Sequence, residues 1–290
     1  MTAYIIDESI RKVLAVGGDF DHLGGVDNFC WPTIQYDPHQ NPDGKFKAAQ
    51  LVRSNLALRD YCLSFGIPLL SGKDSMYIDG NLEGPYGERR KVSGLPTLLF
   101  TVSSVMKDTE KCVTMESKIP GDLVYILGET RDELGGSEYY QMMGELGLNV
   151  PGVNTEEVIP LYKKLGEAID KGLIASAHAV SRGGLGVHLA MVAMGGEMGM
   201  EVDLKAIPAT PGLTDIRTLY SESAGRFIVT VDPSKKEKFE DLFNGIKIGL
   251  AGKVTDTDIF KISGINSSEI INENISTLKD CWLKTFGGLI

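Results

Sequence analysis

Four glycine-punctuated segments of this sequence carry side chains able to hold an anion or move a proton. The first is Gly72-Lys73-Asp74-Ser75-Met76. Its glycine lets the backbone approach a ligand closely. Lys73 can neutralise a phosphate, and Ser75 or backbone N–H groups can donate to its oxygens. The GxxxxGK[ST] spacing of a Walker A loop is absent, and the same composition also makes an ordinary polar turn with a solvated lysine. The second is Gly135-Gly136-Ser137-Glu138, which reads as a helix start. Free N–H groups there suit an anion; the alternative is a start whose small residues pack tightly, with Ser137 or Glu138 as cap. The third runs from Ser176 through His178 and Arg182-Gly183-Gly184 to Leu185, a strand-to-helix turn. Its histidine can titrate near neutrality, but no partner is visible for it, and a general base is recognised by geometry first. In the fourth, Ser221-Glu222-Ser223-Ala224-Gly225-Arg226, Glu222 and Arg226 can pair with each other, or Arg226 can face a ligand phosphate. Glu8, Asp27 and Asp74 are the carboxylates open to magnesium, which usually takes one or two of them plus substrate phosphates. Spacing does not show that they converge. Neither a Ser-His-Asp pattern nor HExxH is recognisable.

The bulk composition narrows the class. With 290 residues the chain is long enough for two ordinary domains. A net charge of −10 argues against a nucleic-acid partner, because phosphate-backbone binders carry excess Lys and Arg. The N-terminus lacks the basic and apolar regions of a signal peptide. No stretch reaches the ~18 apolar residues of a membrane span, so the expectation is a cytoplasmic protein without a membrane partner. Cys30, Cys62, Cys112 and Cys281 form no CxxC pair, which predicts reduced and mostly buried thiols.

Helical spacing runs from Ile5 to Val16 and stops at Gly17-Gly18. Gly24 to Pro32 reads as a short strand entering a turn, and Thr33 to Lys45 as a loop. A helix spans Phe46 to Phe65, with Leu51, Leu58, Cys62 and Phe65 on one face and Gly66 as its cap. Leu69-Leu70 is a short buried strand feeding the Gly72 loop. Asp79 to Val92 reads as a mobile loop and Pro96 to Val105 as a strand. The chain changes domain near Ile119-Pro120-Gly121-Asp122, giving domains 1–118 and 119–290. In the second, Asp122 to Gly128, Leu173 to His178, Arg226 to Val231 and Lys247 to Val254 are extended. Thr155 to Lys171, with Thr155 as N-cap, and Ser181 to Met198 are helical. No tandem repeat is visible. The class is α+β (mixed α/β), with strand order undetermined.

Taken together these segments resemble those of the phosphoribosylformylglycinamidine synthase family. Gly25-Val26-Asp27-Asn28-Phe29-Cys30-Trp31-Pro32 is similar to its LDNFCWP element, and Leu70-Ser71-Gly72-Lys73-Asp74-Ser75-Met76 to its ISGKDSM element. Glu133 to Tyr139, Ser176 to Leu185 and Ser221 to Phe227 also match family elements, in the family's order. The resemblance covers Ile6 to about Val254 and points to the second half of the synthetase core. It implies an aminoimidazole ribonucleotide synthetase-like fold: an N-terminal barrel-forming α/β domain, entered here after its start, then a C-terminal α+β domain. The implied reaction joins ammonia from glutamine to formylglycinamide ribonucleotide at the expense of ATP, a C–N ligase step of purine biosynthesis. The implied site residues are Gly72, Lys73, Asp74 and Ser75 near substrate phosphate. Gly135, Gly136, Ser137, Lys12 and Arg226 would lie near ATP or ADP, and Glu8 and Asp27 near Mg²⁺.

Two departures bear on that site. Where the family pattern DEAVRN has a magnesium-binding Asn, this chain has Lys12; where SAHD has a magnesium-binding Asp, it has Ala179. A cation and a methyl in place of two ligands should largely abolish metal binding there. Lys12 can instead meet a phosphate as a point charge. The N-terminal half with the family's catalytic histidine and the glutaminase domain are both absent from this sequence. The expected partners are therefore that half, or a second copy pairing through the barrel strands, and the glutaminase. The alternative expectation is a non-catalytic nucleotide-binding or structural module.

Overall fold

The computed structural model describes residues 1–284. The chain divides into two compact units. One comprises residues 1–10 and 21–105, the other residues 11–20 and the chain from Met106 onward. The first helix, α1, is Thr2–Ala15.

In the smaller unit, β1 (Leu23–Cys30), α2 (Gly44–Phe65), β2 (Leu69–Ser75), β3 (Asp79–Glu83), β4 (Arg89–Ser93) and β5 (Thr97–Ser104) follow in order. Three strands form a sheet in the order β2-β1-β5, with β1 parallel to β2 and antiparallel to β5. Period-two alternation buries Leu23, Gly25 and Phe29 of β1 and Leu98 and Phe100 of β5. Gly25 is glycine for space: a Cβ there would lie 2.7 Å from the Phe100 ring. The predicted α2 face is correct at Leu58, Cys62 and Phe65, all buried, and Gly66 ends the helix at φ 70°.

Two expectations fail in this unit. The Gly72–Ser75 segment is not a loop: β2 continues through it, paired residue by residue with β1 from Asp27↔Gly72 to Cys30↔Ser75. Asp79 to Val92 is not a loop either but the hairpin β3–β4, registered from Asp79↔Ser93 to Glu83↔Arg89. Both segments are mostly exposed, so neither shows the buried-face alternation by which strands are read. Their pairing comes from tertiary context. Asp79 ties the hairpin base, accepting from the Thr33 backbone N–H at 2.8 Å and from the Ser93 hydroxyl at 2.6 Å. Burial pushes its carboxyl up, but these donors and Lys91 hold it well below the usual range.

The larger unit holds β6 (Leu123–Leu127), α3 (Glu138–Met142), α4 (Thr155–Asp170), β7 (Ser176–Ala179), α5 (Gly184–Gly196) and β8 (Gly199–Asp203). It continues with α6 (Asp215–Tyr220), β9 (Phe227–Val231), α7 (Lys236–Leu242), β10 (Ile248–Thr255), β11 (Ile259–Ser263), β12 (Glu269–Asn274) and α8 (Ile275–Lys284). Seven strands form one mixed sheet, ordered β12-β11-β8-β10-β6-β9-β7. Val124 and Ile126 pack with Leu185, Leu189, Val192, Met200, Val202, Ile228 and Phe260 in one core. Tyr125, of opposite parity, meets the Phe239 ring at 4.8 Å. The α4 cap is Asn154 rather than Thr155: its extended backbone and side-chain oxygen meet the Glu156 N–H at 3.2 Å. The cysteines are free as expected but not mostly buried, since Cys112 and Cys281 are exposed. Among the described residues no helix is long and apolar enough to cross a membrane.

Candidate functional site

In the smaller unit, strand geometry divides the GKDS segment. Gly72 and Asp74 share a face with their partners Asp27 and Phe29; Lys73 and Ser75 share the opposite face with Asn28 and Cys30. The Lys73 ammonium donates to the Ser75 hydroxyl at 3.1 Å. On the other face the Asp27 carboxylate lies against Gly72, where a Cβ would come within 2.8 Å of Oδ1. Glycine is thus required by a neighbouring carboxylate. Burial raises the Asp27 pKa, and Asp74 raises it further. Burial, with Asp27 nearby, pushes the Cys62 thiol up to about 11, so it stays protonated and unreactive at neutral pH. The four residues read as one phosphate cradle therefore present two chemistries, a Lys–Ser pair on one face and, on the other, the Asp74 carboxylate beside Asp27 of β1.

The larger unit brings three of the sequence motifs together. Glu222, buried, accepts through Oε1 from the Glu138 N–H at 2.9 Å and the Gly183 N–H at 2.8 Å. One carboxylate thus serves the starts of α3 and α5, offsetting the positive end of each helix. Arg226 is wholly buried. It donates to Ser223 O at 3.0 Å, Thr130 Oγ1 at 2.8 Å and Ser221 O at 2.6 Å, which locks the 221–226 turn to the end of β6. Ser137 is buried and caps α3, accepting from the Tyr140 N–H at 3.2 Å. The Gly135 N–H donates to Asn149 O at 2.8 Å and the Gly136 N–H to Leu146 O at 2.7 Å. A Cβ on Gly135 would lie 2.7 Å from the Asn149 carbonyl carbon. Of the two readings open from sequence, tight packing describes this turn: its donors are engaged by the 146–149 segment. Nothing in the local sequence marks Glu222 as a shared acceptor, because a carboxylate preceding a strand carries no signature of what it will cap.

A cavity of about 530 Å³ in the same unit is lined by Lys12, Thr114, Glu116, His178, Ala179, Ser181, His188 and Met191, among others. His178 Nε2 lies 2.7 Å from His188 Nδ1. The Ser181 backbone N–H points at His188 Nε2 at 3.0 Å. The Arg182 carbonyl oxygen lies 3.1 Å from the same nitrogen, so a donor and an acceptor compete for Nε2, and the tautomer follows whichever it pairs with. Burial, then Lys12 and Arg11, lower the His178 pKa to about 4; burial, then His178, lower that of His188 to about 3. Both rings are neutral at physiological pH. The partner His178 lacked in sequence sits ten residues on, across the 181–184 turn that reverses the chain. Lys12 and Ala179, the two departures from the family pattern, line this one cavity. The carboxylate of this lining, Glu116, is paired with Lys118 at 2.8 Å and stands beside the Lys12 ammonium, the Ala179 methyl and the two neutral imidazoles. Among the described residues no three His, Cys, Asp or Glu side chains converge as metal ligands.

Glu8, the remaining carboxylate expected near metal, is buried on α1 in the smaller unit.

Comparison with known proteins places this geometry. The chain is 32% identical over 281 residues to the phosphoribosylformylglycinamidine synthase subunit PurL of Limosilactobacillus reuteri, covering 95% of this chain and 33% of that protein. It is 30% identical over 285 residues to the subunit of the same name from Methanocaldococcus jannaschii, covering 97% and 36%. The chain thus spans about a third of the length of these curated relatives. Among solved structures, T. maritima PurL complexed with FGAR superposes with a TM-score of 0.71 at 19% identity, over 96% of this chain and 42% of that one. The hydrogenase maturation protein HypE in complex with ATP superposes at 0.65 and 13% identity, over 94% and 78%; these two establish the fold. The model of the AIR synthase related protein C-terminal domain matches residues 120–264, half of the chain. Its span takes in the cavity-lining histidines, the Glu222 turn and all but the last strand of the seven-stranded sheet, and the chain belongs to the family of AIR synthase related proteins.

Proposed function

We propose that the chain is part of the synthetase core of a phosphoribosylformylglycinamidine synthase, an ATP- and glutamine-dependent C–N ligase. The observation that carries this reading is its 32% identity, over nearly its whole length, to a subunit bearing that name. The substrate would be formylglycinamide ribonucleotide. Lys73 and Ser75, paired on one face of β2, are the groups suited to its phosphate. Gly72 would act from the opposite face with Asp74 and Asp27, making room for the Asp27 carboxylate rather than touching that phosphate. Because the chain spans about a third of its relatives, its partners are proposed to be the complementary synthetase half, or a second copy of itself, and a glutaminase. The edge strand β2 offers unpaired backbone groups for such pairing. The isolated chain is proposed to be inactive.

A second reading is favoured by the cavity that Lys12 and Ala179 share. We infer that this is a nucleotide site no longer built for magnesium, with Lys12 meeting an ADP phosphate directly. Arg226, and the Gly135-Gly136-Ser137 turn, would support the surrounding backbone rather than touch the nucleotide, since their donors are engaged within the protein. Calorimetry with ADP, in Mg²⁺ and in EDTA, tests this. The wild-type chain should bind ADP equally in both. Lys12→Asn with Ala179→Asp should make binding metal-dependent. Magnesium-dependent binding by the wild type would sink the reading.

A further inference from the structure

The Gly135–Gly136 turn holds in place a segment whose large aliphatic side chains are mostly exposed. Gly136 and Gly135 bind the carbonyls of Leu146 and Asn149. The Glu145 N–H donates to Tyr140 O at 2.8 Å and the Gly144 N–H to Gln141 O at 3.1 Å. Gly147 packs on the Tyr140 ring, where a Cβ would clash at 2.5 Å, and the Gly152 N–H is held by Glu133 Oε1 at 2.9 Å. The backbone from 140 to 152 is therefore fixed at both ends and in the middle. Yet Met142, Met143, Leu146, Leu148 and Val150 all point outward, with Leu146 75% and Leu148 94% exposed. Single exposed apolar residues are ordinary; five within nine residues, on an anchored backbone, form the kind of patch that marks an interaction surface. Its methionines suit a contact that adapts its packing.

The charges around the patch identify what covers it. Between Arg131 and Lys163 the chain has no basic residue and six acidic ones. Asp132, Glu138 and Glu157 are engaged by Arg217, Arg182 and Arg131. Glu145 and Glu156, both exposed, make no ion pair among the described residues. The patch thus carries an uncompensated carboxylate, Glu145, among its apolar residues, and the chain carries a second, Glu156, just past it at the start of α4. A second copy meeting it about a twofold axis would bring like charges together.

We propose that this surface docks a different polypeptide, one presenting an apolar contact face ringed by Lys or Arg. The proposal is independent of which substrate the chain binds. A fluorescent amphipathic Leu/Lys helical peptide, with a Leu/Glu peptide of the same pattern for comparison, tests it by anisotropy. The Leu/Lys peptide should bind at least about tenfold more tightly than the Leu/Glu peptide. Leu146→Ser with Leu148→Ser, which leaves charge unchanged, should weaken it about tenfold, whereas Tyr86→Ser at an exposed site in the other unit should not. Glu145→Gln with Glu156→Gln should weaken it independently, so a fold defect in one variant leaves the other decisive; melting curves check each. Binding insensitive to both pairs of substitutions overturns the proposal. So does a self-association, seen by sedimentation, that Leu146→Ser with Leu148→Ser abolishes, because the occupant would then be a second copy.

Discussion

Three polar residues of the larger unit, His188 and Asp122 buried and His178 half-buried, each carry a measurable consequence. His178 and His188 are neutral in the folded protein, with pKa values pressed below the ordinary 6.5 by burial. The unfolded chain takes up protons at both as pH falls through about 6.5, while the folded chain resists until near pH 4. The pair's contribution to stability is therefore complete above pH 6.5 and lost as pH falls toward 4. Melting temperatures across that window should drop more steeply for the wild type than for His188→Gln; parallel curves would show that the pair is not buried neutral. Asp122 has the opposite sign. It is buried at the start of β6, its Oδ2 lacks a hydrogen-bond partner among the described residues, and burial and then Asp232 raise its pKa. Its ionisation in the fold becomes a penalty as pH rises from 3.8 through the raised value. Asp122→Asn should thus stabilise the chain at neutral pH by about 1 kcal/mol, a rise of about 2–4 °C for a unit of this size. A lower melting temperature would mean that the charges of Lys235 and Lys118, which lower the pKa, outweigh burial and Asp232. The histidine pair also shows the reach of sequence at this scale. His178 stood out by type and position, but its tautomer depends on the Ser181 N–H and on His188, neither of which periodicity can orient.

Elements were readable where one face is buried and unreadable where it is not. Leu58, Cys62 and Phe65 disclosed α2, and the fully buried Phe227–Val231 run disclosed β9. β2 and the β3–β4 hairpin escaped because exposed strands have no buried face to alternate with. For the candidate site the loss was specific. Reading β2 as a loop gathered Gly72, Lys73, Asp74 and Ser75 around one ligand, whereas a strand sends them to two faces. The Gly135–Gly136 turn was found by composition, but which of its two physical uses applied depended on a segment ten residues downstream. Packing there gives a direct test. Gly135→Ala places a methyl 2.7 Å from the Asn149 carbonyl carbon, and overpacking of this kind costs about 1–3 kcal/mol. It should lower the melting temperature and raise amide exchange across 142–152 while leaving the smaller unit unchanged. An unaltered melting temperature would show that the 146–149 segment is not held by this glycine.

On the scale of the whole molecule, ordered motifs carried the family assignment further than any one of them could. The GKDS strand and the glycine turns are weak alone, yet their order over most of the chain pointed to a fold that superposition on solved structures matches. What the motifs did not carry was the consequence of Lys12 and Ala179 falling on one cavity, since one lies on α1 and the other on β7. With the Lys12 ammonium and the Ala179 methyl on that cavity, and with about a third of its relatives' length, the chain is proposed to bind ligand without turning it over. The most direct measurement is ADP release by the purified chain supplied with formylglycinamide ribonucleotide, ATP, Mg²⁺ and either glutamine or ammonium, beside calorimetric binding of the ribonucleotide. The expected result is binding of the ribonucleotide and no ADP above the enzyme-free background. Ammonia- or glutamine-dependent ADP release by the chain alone would contradict it.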